Sequence, residues 1–391
     1  MKVIVCGAGI AGLAVADLLT RNGYETIVVE QAAGPRPQGY MIDFFGAGYD
    51  AAEAMGLLPP ITEFGYRIRD LTYVDKRGHR RARVTMKQLD TAVGGRLTSI
   101  LRPDLERVLR KDLPSHVQLR YGNRLVDVTT DGDTVTTTFA DGSHETADLL
   151  VGADGTHSTV RRLVFGPDAE FLRYLGFHTA AYIFDDPKLA DQTLARYVLT
   201  DSVDRELGIY GLRDGRVAVF MLHRTSNPVL PGDIPRTLRF EYARLGWLAP
   251  HVLAHCPPGD EVYYDQVAQV VMPKWSAGRV VLIGDACAAV SLMAGQGASL
   301  AIGGGYVLTD QLSHADSIAT ALSGYERLWR PVVADKQRVG RDLGRWFLPH
   351  SRLELAVRRV ALRSANLPVV ERYLARITAG KTSHVISDIV R

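Results

Sequence analysis

A chain of 391 residues is longer than one ordinary hydrophobic core requires, so two domains, or one large domain with a lobe, are expected. Hydrophobic residues at 46% and charged residues at 23% argue against a disordered chain, and a net charge of +3 is too small to point to a nucleic-acid partner. The three cysteines, Cys6, Cys256 and Cys287, make no disulfide framework and lack the spacing of a zinc site, so a reducing, cytoplasmic setting and no metal are expected.

The first residues, MKVIVCGAGIAGLAVADLL, have the outline of a secretory signal. The apolar run is interrupted by Gly7, Gly9 and Gly12, however, and a β-type run resumes at Thr26–Val29. Nowhere does the chain approach the ~20 apolar residues of a membrane helix, so stable membrane insertion is not expected. Lys2–Cys6 instead reads as a buried parallel strand, Leu13–Arg21 as a helix ended by Asn22-Gly23, and Glu25–Glu30 as a second strand. Between strand and helix stands Gly7-Ala-Gly9-Ile-Ala11-Gly12. Gly7 permits a tight turn, Gly9 lets a pyrophosphate touch backbone, and Gly12 lets the helix pack on the strand. The helix N-terminus offers N–H groups to phosphate, and Glu30 suits the hydroxyls of an adenosine ribose. This constellation predicts a dinucleotide site, from which Glu30 would repel a 2′-phosphate; NAD and FAD remain open at this point.

The basic run Arg77–Arg83 reads as a solvated hairpin edge. Asp148–Arg162 predicts a buried strand, a turn at Asp154-Gly155 and a helix start near Ser158, with Arg161 on its first turns. Antiparallel segments follow at His178–Phe184, Glu206–Leu212, Arg216–His223 and Glu261–Met272, with a turn at Arg213–Gly215. Along them His178, Tyr182, Tyr210 and His223 are candidates for a site, although a core or outer-face position is the more ordinary expectation for each. Gly278–Asp285 predicts another strand, ending in an aspartate where open α/β sheets place ligand contacts. Beyond it a stretch of small residues leads to Gly295-Gln296-Gly297-Ala298, where a helix begins whose N–H groups would face negative charge. After residue 320 the chain reads as helical and basic. Leu353–Ile377 is amphipathic, suited to packing across two lobes, with membrane-surface contact as the alternative.

The order GxGxxG…Glu, GADGxxSxxR, GDAxxxxxxxxGQG resembles the class A FAD-dependent monooxygenases, the para-hydroxybenzoate hydroxylase type that includes tetracycline-inactivating enzymes. The likeness covers residues 1–345. It implies an α/β fold: a Rossmann-like FAD-binding domain with an antiparallel β-sheet substrate domain and C-terminal helices. On that pattern the FAD-binding domain occupies 1–70, 101–170 and 273–345, the substrate domain 71–100 and 171–272, and a helical segment 346–391. The resemblance also implies FAD as cofactor, with Glu30 at the adenosine ribose and Asp285 at the ribityl or pyrophosphate region. Gly295, Gln296, Gly297 and Ala298 would face the isoalloxazine. Arg102, in the match to Ile100–Leu109, would contact FAD; Arg36 and Asp43, in GPRPQGYMIDFFG, would line the flavin and the nicotinamide approach; Asp154 would serve FAD and NAD(P)H together.

NADPH or NADH is implied as a transient co-substrate, and oxygen delivery from O2 through a flavin C4a-hydroperoxide to a bulky aromatic or polyketide-like molecule, by a monomer or homodimer. No catalytic side chain is assigned. The rivals are an FAD-dependent reductase without oxygen transfer and a non-catalytic FAD-fold binding protein; a flavin halogenase is disfavoured because no WxWxIP stretch occurs. The chain departs from the family pattern at Ala288, where many members have His, and at Leu292, where they have Pro. Gly303-Gly-Gly305 replaces an acidic stretch and is expected to loosen its helix.

Overall fold

The computed structural model describes residues 1–35, 39–86, 90, 93–363 and 386. Lys2–Cys6, four of whose five residues are apolar, forms the centre of a six-stranded sheet, flanked in parallel by Glu25–Val29 and Leu149–Gly152. Val3, Ile4 and Val5 are wholly buried, as a strand covered on both faces requires. Gln118–Arg120 extends one side and Val280–Leu282 the other, both parallel; Ser276–Ala277 adds an antiparallel edge. The helix Ile10–Arg21 starts three residues earlier than its apolar spacing suggests and ends at Asn22, with Gly23 at φ +83° turning the chain back. Against it packs Gly297–His314. The Gly303–Gly305 run does not interrupt that helix. A Cβ at Gly303 or Gly304 would lie 2.7 or 2.8 Å from the ring of Trp329, which comes from the long helix Ile318–Phe347. The glycines create the slot that buries this indole.

The second large sheet has seven strands in the order Tyr263–Val270, Leu172–Asp185, Arg216–Arg224, Arg205–Gly211, Arg196–Ser202, Asp70–Val74, Arg80–Thr85. It is antiparallel except where Arg196–Ser202 runs parallel to Asp70–Val74. Side chains alternate across it. One face, with Tyr182, Leu207, Ile209, Val219 and Met221, forms a core with Leu238 and Tyr242 of the helix Ile234–Tyr242. The opposite face turns toward the six-stranded sheet and its loops. The basic hairpin is present as expected: Asp75 holds Arg81 at 2.6 Å beside the turn at Gly78. Leu125–Asp131, Thr134–Phe139 and His144–Ala147 make a three-stranded sheet, and Met41–Phe45 pairs with Leu97–Leu101. The helix Arg352–Arg363 lies along Arg80–Thr85. The rest of the amphipathic stretch, beyond 363, falls outside the described residues. Cys6 and Cys287 are buried free thiols, and among the described residues no helix is long and apolar enough to cross a membrane.

Candidate functional site: a cleft and a cavity at the strand ends

The C-terminal end of Lys2–Cys6 opens onto a cleft of about 170 Å3. Its shape is set by missing side chains. Gly7 sits at φ +109°, and a Cβ there would come within 2.5 Å of the Ala153 carbonyl oxygen. A Cβ at Gly12 would overlap the Gly7 carbonyl oxygen. At Gly9, by contrast, a Cβ would project toward open space, with Arg102 and Glu106 atoms 3.8 Å away. Gly9 is the N-cap of the first helix and no side chain caps it, so first-turn N–H donors are left for whatever enters the cleft. The Glu30 carboxylate is pinned on the wall by N–H groups of Ala8 and Ala32, each 2.9 Å away.

Asp154 stands on the same wall with both oxygens used by its own chain. Ser158 donates its hydroxyl to Oδ1, and the N–H groups of Thr159 and Val160 meet Oδ2 at 2.7 and 3.1 Å, capping the helix Thr159–Val164. Burial raises its pKa against these bonds. Arg161 is fully buried and donates to the carbonyls of Ala286 at 2.7 Å and Thr156 at 2.6 Å, clamping the second motif to the third.

Beyond Gly9, Arg102, Ala153 and Gly155, which it shares with the cleft, lies a cavity of about 370 Å3. Its floor is Ile10, Ala11, Asp285, Gly295, Gly297 and Ala298. Gly284 at φ +57° would place a Cβ 2.8 Å from that of Ala11, so both residues must be small for the first and third motifs to meet. Asp285 opens the helix Asp285–Ala288 and faces the cavity; enclosure raises its pKa, opposed by the Arg102 guanidinium. The Arg102 guanidinium pairs with Glu106 at 2.9 Å, and the Arg102 backbone N–H donates to the Tyr40 carbonyl at 3.0 Å. Gly295 adopts a left-handed φ of +64°, and Gln296 caps the helix Gly297–His314 by backbone position only, with no side-chain bond. Ser291, at φ +74° and ψ 151°, holds a backbone region that non-glycine residues adopt at a cost of about 1–3 kcal/mol. Asp43 lines the cavity and accepts from Ser99; enclosure raises its pKa, partly offset by that bond. Arg36 lies outside the described residues.

The roof is the second face of the seven-stranded sheet, presenting Thr179, Leu199, Glu206, Phe220, Tyr263 and Val267. Tyr263 stacks obliquely on Tyr40, ring centroids 5.5 Å apart. The four roof candidates singled out from sequence are elsewhere. His178 and His223 sit on the opposite face, bonded to Tyr264 and Tyr242. Tyr182 bonds the Val252 carbonyl, and Tyr210 takes the Met41 N–H at 2.6 Å. Thr179 is one residue from His178, so the strand alternation, phased on the buried partner, is the signal that separates them. Strand Tyr263–Val270 is tied to the loops by His157 Nε2 to Asp265 at 3.2 Å and by Gln269 to the Val290 carbonyl at 3.1 Å.

These residues suit FAD: a cradle only glycine allows, unspent helix donors, a fixed carboxylate, and a continuous opening under a partly aromatic roof. Residues 1–333 match the family described as FAD binding domain. The chain is 30% identical to a flavin-dependent monooxygenase of an unknown prokaryotic organism, over 87% of this chain and 88% of that one. It is 32% identical to the FAD-dependent monooxygenase asL6 of Sarocladium schorii, over 87% and 86%. Among solved structures, the tetracycline destructase Tet(55) superposes with a TM-score of 0.80 at 27% identity, covering 93% of this chain and 96% of the other.

Proposed function

The chain belongs to the FAD binding domain family as a class A FAD-dependent monooxygenase, and from that premise we propose that it uses NAD(P)H and O2 to hydroxylate a bulky aromatic or polyketide-like small molecule. In balance, the substrate C–H, O2, NAD(P)H and one proton give the hydroxylated product, water and NAD(P)+. The observation that carries the reading is the junction at Gly9, Arg102, Ala153 and Gly155, where a dinucleotide cleft passes into a cavity under Phe220 and Tyr263. One groove would then take both FAD and substrate.

In this reading Gly7, Gly9, Ala11, Gly12 and the first helix N-terminus hold the pyrophosphate, and Glu30 the adenosine ribose. Arg102 and Asp285 hold the chain leading to the ring, and Gly295–Ala298 face the ring itself. Asp154, spent on its own loop, shapes the wall rather than offering a free carboxylate. When bound, FAD supplies hydride acceptance and oxygen activation. The protein supplies placement and a dry setting. The N–H groups opening Gly297–His314 would meet negative charge on a bound flavin ring. The apolar part of the roof, Leu199, Phe220 and Val267, would keep water from the reacting atoms.

The test is turnover of aromatic and polyketide substrates by FAD-loaded protein under 18O2. Substrate-stimulated NAD(P)H oxidation with one 18O in the product is expected. Stimulated oxidation with unlabelled product would favour the reductase, and no stimulation across the panel would favour a binding protein.

A further inference from the structure

The cavity does not end at the ring-binding loops. Strand Tyr263–Val270 borders those loops, and Arg205–Gly211 lies three strand spacings further across the sheet, roughly 14 Å at the usual interstrand distance. Glu206 lines the cavity at that remote side. The same lining includes Leu71, Tyr73, Met86 and Leu199, so the cavity side of this carboxylate is bordered mainly by apolar and aromatic residues. It is only 2% exposed.

Two contacts reach it, both on Oε2: Arg358 Nη1 at 3.2 Å and the Tyr73 hydroxyl at 3.4 Å. Neither is strong. Arg358 has a closer partner in Asp201, the residue paired across the strands with Glu206, and Asp201 also takes Arg359 at 2.6 Å. The helix Arg352–Arg363 is therefore anchored through Asp201 and the Phe347 carbonyl, with Leu362 packed among Tyr73, Val84 and Leu199. Anchoring that helix does not require Glu206. A buried carboxylate costs stability unless it is answered, and the hydrogen bonds it takes from described residues both fall on Oε2, leaving Oε1 to the cavity side. Burial, outweighing Arg358, pushes its pKa up to about 7.

Resting on the monooxygenase reading, we propose that Glu206 is the specificity residue of the cavity: its Oε1 accepts a hydrogen bond from a hydroxyl or amino group at the end of the substrate remote from the flavin. The substrate class is then narrower than aromatic. It is an elongated, largely apolar molecule, reactive at one end and carrying a donor at the other. An analogue lacking that donor leaves the carboxylate buried and unanswered, which is how a site rejects a near-isostere strongly.

The probes are a trihydroxylated anthraquinone, emodin, and its ether physcion, in which a terminal hydroxyl is methylated. Binding is measured by calorimetry on FAD-loaded protein, so no turnover is needed. Wild-type protein is expected to bind emodin about tenfold more tightly than physcion. Glu206→Leu should erase that preference, and Glu206→Gln, which keeps an acceptor, should retain most of it; flavin absorbance and melting temperature check that each variant is folded. Equal affinity of wild type for the two probes, failure to bind either, or an undiminished preference in Glu206→Leu would overturn the proposal. None of these results would touch the monooxygenase reading, which fails separately if the protein takes up no FAD.

Discussion

At Gly12 a single added methyl group would overlap the Gly7 carbonyl oxygen. Gly12→Ala must therefore push the first helix off its strand, and loss of FAD binding is expected in a fluorescence titration. Glu30 acts differently, because its carboxylate orders Ala8 and Ala32 as well as facing the cleft. Glu30→Gln is expected to weaken FAD by about ten- to a hundredfold while the protein stays folded; unchanged affinity would remove Glu30 from the site. Glu206 gives a pH signature. Its folded pKa, about 7, lies above that of an unfolded glutamate, so the folded state holds the proton more tightly. Its contribution to stability is full below the unfolded value and declines as pH rises toward 7, with Arg358, Asp201 and Tyr73 facing it. In a series of urea melts, wild type should lose stability relative to Glu206→Gln across that window; parallel curves would contradict the assignment.

The elements show where a sequence pattern was sufficient. Lys2–Cys6 stands where its β-branched run placed it, and the helix at Gly297 begins where the small-residue stretch ends. Both are local signals. The helix runs unbroken through Gly303–Gly305, and what intrinsic propensity leaves out there is Trp329, 25 residues beyond Gly304, whose ring fills the space. The signs of two substitutions follow. Helix propensity alone would make Gly304→Ala stabilising by about 1 kcal/mol; overlap with a buried indole should make it destabilising, by about 1–3 kcal/mol. The nearest atoms to a Cβ at Gly305 belong to Val15, from an ordinary 3.4 Å outward, so Gly305→Ala should be neutral to mildly stabilising. Thermal melts of the pair decide the matter, and stabilisation by both would show that the slot is loose. The roof was harder to read. His178 and His223 draw attention by chemistry, yet the strand's phase sends them to the helix-covered face and Thr179 and Phe220 to the cavity. Phase is set by tertiary packing, which the strand's own residues do not contain.

Across the whole molecule, long-range ties hold two sheets around one groove. Arg161 joins the second motif to Ala286, and His157 joins that motif to Asp265 on the roof. The Asp265 bond raises the His157 pKa, against the lowering effect of burial. A group raised in this way stabilises the fold below its unfolded pKa and ceases to do so as pH rises through the folded one. The melting temperature of wild type should exceed that of His157→Gln more at pH 6 than at pH 8; an equal difference would show that the pair carries no charge. Tyr263 and Glu206 entered the site only through this assembly, since they belong to sheet strands outside the glycine motifs. The strand-end loops were legible because their glycines have no substitute; the roof was not, because many residues fit a sheet face. The most direct test is a crystal structure of the FAD complex. The account predicts the adenosine at Glu30, the pyrophosphate over Gly9, and the ring between Gly295–Ala298 and the roof, with density running continuously past Arg102. FAD bound away from that groove, or with its ring outside the cavity, would contradict it.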